Sequence, residues 1–113
     1  VSRDWRLYVD DMRQACRKVL RYTQGLDLEG LRRDEKAYDA VVRNLEVIGE
    51  AAKHIPQAVR AQMPGIEWRK IAGLRDVLAH AYFGIDDAVL WDLIQEKVPP
   101  LLDALEQIPT AES

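Results

Sequence analysis

Hydrophobic residues recur along this chain at intervals of three and four, and the strict alternation of a half-buried strand is absent. Trp5, Tyr8, Met12, Ala15, Val19 and Tyr22 fall on one stripe, with Arg6, Asp10, Arg13, Arg17 and Arg21 opposite. This spacing predicts a helix capped by Ser2 or Asp4, running to about Thr23 and ended by Gly25. The charged stretch LDLEGLRRDEK reads as a connection with room for one helical turn before a cap at Asp34. A second long helix is predicted from about Glu35 to His54, with Tyr38, Val41, Val42, Leu45, Ile48, Gly49 and Ala52 towards the core, stopped near Pro56. Beside that stripe, Ala37, Ala40, Asn44, Val47 and Ala51 form a line of smaller side chains. It suits close packing against either another helix of the bundle or a second subunit.

The segment PQAVRAQM predicts a short helix between Pro56 and Pro64. Helical spacing then resumes through MPGIEWRKIAGLRDVLAHAYFG, with Ile71, Leu74, Leu78 and Ala81 on one face and Gly84 as the stop. Asp86 can cap a last helix whose apolar positions are Val89, Leu90, Leu93, Ile94, Leu101, Leu105 and Ile108. Pro99 and Pro100 should kink or split it, and residues 108–113 should fray. The expected architecture is all-α, a single domain over residues 1–113 built as an antiparallel bundle of four to five helices.

Composition narrows the function. Sixteen Lys and Arg against nineteen Asp and Glu give a net charge of −3, so bulk charge does not drive the chain onto polyphosphate and any nucleic-acid contact must be local. One cysteine, Cys16, permits no intrachain disulfide and no thiolate metal cluster, which fits a reducing compartment, the cytoplasm. No apolar run approaches the ~20 residues of a membrane span, and the amino end has no signal-like apolar stretch. Neither of the two histidines, His54 and His80, sits in a metal-ligand spacing. A phosphate-binding Gly-rich loop is missing, and the only serines are the terminal Ser2 and Ser113. No cofactor or metal is expected.

The segment LRDVLAHAYFG concentrates Arg75, Asp76, His80 and Tyr82 in an otherwise apolar helix. At ~100° per residue Arg75 and Tyr82 project within ~20° of each other, whereas His80 points ~140° from Arg75, in line with Arg69, Gly73 and Asp76. Gly73 weakens a helix by roughly 1 kcal/mol relative to Ala, which a close neighbour would justify. If that neighbour is the same helix of a second copy, two His80 side chains and two Arg75 side chains meet across a two-fold axis. RNA cleavage without a metal needs such a set: a base for the ribose 2′-hydroxyl, an acid for the leaving 5′-oxygen and a cation for the phosphate. The plainer reading is a solvated histidine, a surface Arg75–Asp76 pair and a Tyr82 ring packed at the core edge.

The order Arg75, four residues, His80, one residue, Tyr82 resembles the Arg-x4-His-x-Tyr motif of HEPN-domain proteins, in particular the HepT-like toxins paired with minimal nucleotidyltransferase antitoxins. YDAVVRNLEVIGEAAKHIP, PGIEWRKIAGLRDVLAHAYFGID and VLWDLIQEKVPPLLDAL match that family in order and spacing over roughly residues 38 to 105. The first 35 residues add only a helix of suitable length. The resemblance implies a HEPN-like helical bundle, a homodimer with possible higher association, and a metal-independent endoribonuclease site shared across the dimer in a type VII-like toxin–antitoxin system. It maps phosphate stabilisation onto Arg75, acid/base work onto His80 and adenylyl acceptance from the partner nucleotidyltransferase onto Tyr82.

Asp76 departs from the polar, often Asn, residue that follows the arginine in related members; it either orients Arg75 or weakens RNA binding. Glu50 can reach the cleft or remain solvated beside Lys53 or His54. Arg69, Lys70 and Arg43 can add positive charge to a dimer groove or be scattered surface bases. A non-catalytic subunit that presents a nucleotide or substrate to the nucleotidyltransferase is the alternative function, and an inert structural oligomer a third reading.

Overall fold

The computed structural model describes residues 3–82 and 86–109, with the backbone alone for 80–82. Helix α1 (Trp5–Thr23) begins at Asp4, whose side chain accepts from the Arg6 N–H, and the chain leaves its end through Gly25 at φ 78°. Only glycine adopts that conformation without strain. A short α2 (Leu28–Arg33), capped by Asp27, precedes α3 (Glu35–Ala52), capped by Asp34. Then follow α4 (Gln57–Gln62), α5 (Trp68–Ala72) and α6 (Leu74–Tyr82). Beyond residue 86 come α7 (Asp87–Asp92), a π-helical turn over Leu93–Lys97 and α8 (Val98–Glu106).

All elements among the described residues are helical. The number of segments exceeds the four to five expected, because the charged connection forms a short helix of its own, α2, and two longer legs are each broken, while α4 is the short helix expected between Pro56 and Pro64. Gly73 ends α5 with φ −86° and ψ 5°, so α5 and α6 do not form the continuous helix that periodicity suggests. Pro99 and Pro100 sit in the first turn of α8, where missing N–H groups cost least, and the π turn before them absorbs the interruption. Asp86 caps α7 as expected, its side chain accepting from the Val89 N–H. Gly84 and residues 110–113 lie outside the described residues.

The most extensive pairing is α1 with α3. Tyr8, near the start of α1, stacks on His54, just past the end of α3, so the two run antiparallel. Their shared core comprises Val9, Met12, Cys16 and Val19 with Val41, Leu45 and Ile48, and is completed by Leu31, Leu74, Leu78, Leu90, Ile94 and Leu105. Burial pushes the Cys16 thiol up to about 12, making it a packing residue. Val89, expected on the core side, is exposed instead. No helix of the described residues is long and apolar enough to cross a membrane.

Arg13 overturns its place on the polar stripe. It is only 4% exposed, and its guanidinium donates to the carbonyl oxygens of Leu105, at 2.9 Å from Nε, and Ile108, and to Asp10 at 3.0 Å. The end of α8 exposes carbonyls with no intrahelical partner, and a buried cation on them satisfies both sides at once. Nearby, Arg17 pairs with Glu106 at 2.6 Å on the surface. At the other side of the bundle, the Tyr38 hydroxyl donates to Asp87 at 2.7 Å, and Arg32 bonds the same carboxylate at 3.1 Å, tying α2 and α3 to α7.

Replacing Arg13 with Ala should therefore lower unfolding free energy by about 3 kcal/mol, because the Ile108 and Leu105 carbonyls lose its charged donors, Leu105 keeping only backbone N–H partners. Chemical denaturation against Arg17→Ala, whose exposed pair contributes under about 1 kcal/mol, provides the check. Equal losses from the two variants would contradict the clamp.

Candidate active site

The site is positioned by a close approach between α3 and the α5–α6 leg. A methyl on Gly49 would lie 3.2 Å from the Ile71 carbonyl oxygen and 3.5 Å from the Leu74 Cβ. The glycine thus lets backbone meet backbone. The close neighbour expected for Gly73 is found at Gly49; within the chain, the missing side chain of Gly73 faces only the preceding turn of its own leg, the Arg69 and Lys70 carbonyls.

Directly beyond these two contact points stand Glu50, next after Gly49, and Arg75, next after Leu74. Their side chains come to 4.0 Å. Arg75 has a side chain 80% exposed and Glu50 one 54% exposed, so the pair is loose and screened by water. Arg75 is left free to take another anion. Glu50 also accepts from the Lys53 ammonium at 3.0 Å, which chiefly holds its carboxyl below the usual range; Arg75 and His54 assist. At neutral pH it is an acceptor and counter-ion, with no proton to give.

Arg75 and Glu50 line a concavity of about 370 Å³ together with Arg43, Glu46, Tyr8 and His54. The Tyr8 and His54 rings stack with centroids 4.4 Å apart and planes 10° from parallel, and the Arg3 guanidinium lies 4.7 Å from the Tyr8 centroid. Asp11 also faces this hollow and holds Arg3 at 2.6 Å. Three carboxylates, Asp11, Glu46 and Glu50, therefore surround two arginines, Arg43 and Arg75. The wall supplied by α1 escapes a motif-based reading, since Tyr8 and Asp11 belong to the segment that contributes only a helix to the resemblance.

Of the other candidates, Arg43 is exposed and lies 3.7 Å from Glu46. Lys70 pairs with Glu67 at 2.7 Å. Arg69 lines two other depressions and does not border the Arg75 hollow. Asp76 is exposed, and no ion pair joins it to Arg75 among the described residues. His80 and Tyr82 have helical backbone in α6, but their side chains lie outside the described residues. Among the described residues no cluster of three or more His, Cys, Asp or Glu is arranged to hold a metal ion. The small-residue line on α3 is half-buried at Ala37, Ala40, Asn44 and Val47; Asn44 satisfies its own amide by donating to the Ala40 carbonyl at 2.8 Å, and Val47 and Ala51 border the hollow.

Residues 12–108 match the family model described as ribonuclease HepT-like. The chain belongs to the HepT-like ribonuclease family. A probable ribonuclease HepT of Thermococcus cleftensis is 38% identical over 108 residues, covering 96% of this chain and 98% of the relative. A candidate RNase of Methanocaldococcus jannaschii, MJ0127, is 35% identical over 95% of this chain and 88% of its own length. From the same organism, a protein named as both a gamma-glutamylcyclotransferase and a candidate RNase is 28% identical over 96% of this chain, which spans 49% of that relative. No solved structure matches the chain. Membership of the HepT-like family supports an RNase function and RNA as the substrate class.

Because the Gly49 contact sets where α6 crosses α3, Gly49→Val should cost about 2 kcal/mol by overpacking. Gly65→Ala, where a methyl meets nothing within 4 Å, should stay within about 0.5 kcal/mol of the parent. Urea unfolding of both variants checks the contrast.

Proposed function

We propose that this HepT-like chain is the RNA-cleaving toxin of a type VII-like toxin–antitoxin system, working as a homodimer and silenced by a minimal nucleotidyltransferase. The supporting observation is the state of Arg75: a permanently charged, largely exposed guanidinium at the start of α6, tethered to Glu50 only at 4.0 Å. A fork of N–H donors so held suits a phosphodiester, on which it can close bidentately while charge builds on the non-bridging oxygens.

In the proposed reaction His80 of one copy takes the proton from the ribose 2′-hydroxyl as that oxygen bonds to phosphorus. The P–O5′ bond breaks, and the protonated His80 of the other copy gives its proton to the leaving oxygen. The products are a 2′,3′-cyclic phosphate and a 5′-hydroxyl. Silencing joins the Tyr82 phenolic oxygen to the α-phosphorus of ATP, with loss of the phenolic proton and departure of pyrophosphate. The added AMP brings bulk and negative charge to the mouth of the site. Asp76, beside Arg75 in sequence, tempers RNA affinity. The competing reading, a non-catalytic subunit that presents a nucleotide to its partner, draws on the three carboxylates around Arg75.

The deciding experiment incubates the full chain with RNA and a chelator, with and without the nucleotidyltransferase and ATP, then weighs the intact protein. Cleavage should leave cyclic phosphate ends and vanish in His80→Ala. Arg75→Ala should lower kcat/KM roughly a hundredfold, and Arg75→Lys should recover little of it. AMP should add to the parent and not to Tyr82→Phe. Undiminished cutting by His80→Ala, or 5′-phosphate ends, would overturn the mechanism. Partner binding without any cutting would favour the subunit reading.

A further inference from the structure

If RNA is the substrate, the hollow around Arg75 attracts it only weakly by charge: its three carboxylates offset its two arginines and the neighbouring Arg3 and Lys53, on a chain of net charge −3. Attraction for a polyanion must be concentrated elsewhere on the surface. Several cations of the described residues are neutralised by a carboxylate: Arg3 by Asp11, Arg17 by Glu106, Arg32 by Glu29 and Asp87, Lys53 by Glu50, Lys70 by Glu67.

Another depression, of about 370 Å³, has the opposite character. Between α4 and α5 it is lined by Gln57, Arg60, Ala61, Trp68, Arg69 and Ala72, two arginines and no acid. Neither arginine has an ion-pair partner among the described residues. The Arg60 Nε is buried with no hydrogen-bond acceptor, an arrangement that leaves a charged donor uncompensated until an anion arrives. Trp68, buried in the core, borders the depression, and its N–H is already donated to the Met63 carbonyl at 3.1 Å, so it brings no competing donor.

Arg69 also lies six residues before Arg75, on α5, with the break at Gly73 between them. We propose that Arg60 and Arg69 form a second phosphate-binding subsite that holds the RNA backbone outside the hollow around Arg75. Guanidinium groups suit a flexible single strand, whose phosphates they grip without reading base identity. This inference rests on RNA being the substrate and adds where its flanking phosphates are held.

The test measures binding of a labelled single-stranded RNA to full-length protein carrying His80→Ala, across a salt series, with and without Arg60→Gln plus Arg69→Gln. The double variant should bind roughly tenfold more weakly, and its log-affinity against log-salt slope should shrink by about 1.4, two phosphates at ~0.7 each. Arg69→Glu alone tests the subsite independently of the partly buried Arg60, and should weaken binding at least as much as Arg69→Gln. Unchanged affinity and slope in both would overturn the proposal. So would intact RNA binding together with weakened capture of the nucleotidyltransferase, which would make the depression a protein contact. Cleavage by the parent chain is scored separately: failure to cut RNA defeats the nuclease reading, whereas arginine-dependent binding still supports the subsite.

Discussion

The contact on which the functional geometry depends is the one in which α3 meets the α5–α6 leg with almost nothing between the backbones. At Gly49 a hydrogen takes the place of a side chain, and the Ile71 carbonyl and the Leu74 side chain fill the space. Because each helix continues outward from that point, the next residue on either side is brought to its neighbour: Glu50 from one, Arg75 from the other. Close-packed interiors transmit such constraints with little slack. The break at Gly73 belongs to the same arrangement. It lets α5 and α6 adopt separate directions, so that Leu74 can bury against α3 while Arg75 turns to solvent.

Charge is divided among the concave surfaces in a way that net charge conceals. Around Arg75, carboxylates and cations are interleaved, and the ionised Glu50 keeps Arg75 company without neutralising it closely. The depression between α4 and α5 has no carboxylate in its lining. An acidic protein can in this way offer local positive sites of short range, since screening confines each field to roughly 8–10 Å at ordinary salt. A third groove, of about 580 Å³, runs between α5, α6 and α8 and is largely apolar, with Glu67, Lys70, Glu96 and Lys97 among its lining residues.

Much of this was readable from residue order. Cap residues Asp4, Asp34 and Asp86 and the positive-φ Gly25 end helices where their chemistry requires it. The α3 core stripe is the apolar face that spacing predicts. Arg13 was not readable: periodicity assigns a cation to the wet side, and only the arrival of α8's terminal carbonyls makes burial favourable. Val89 errs in the other direction, an apolar residue left in water because α7 is a single short segment. For the site, Arg75 and Glu50 could each be nominated, but their pairing is a long-range fact. So is the stacked Tyr8–His54 wall, which joins ends of helices that no local pattern relates.

The π-helical turn over Leu93–Lys97 sets the rotational phase of everything after it. Its wider loop, closed by the Val98 N–H on the Leu93 carbonyl, accommodates one residue more than an α turn would. Excising a single residue there would restore regular winding and leave α8 nearly in phase, whereas winding all the present residues as regular α-helix would swing α8 about its own axis by ~100°. The carbonyls that now converge on Arg13 would then face another direction, leaving the guanidinium stranded in the interior. The wide turn itself is thus what aims the end of α8 at Arg13.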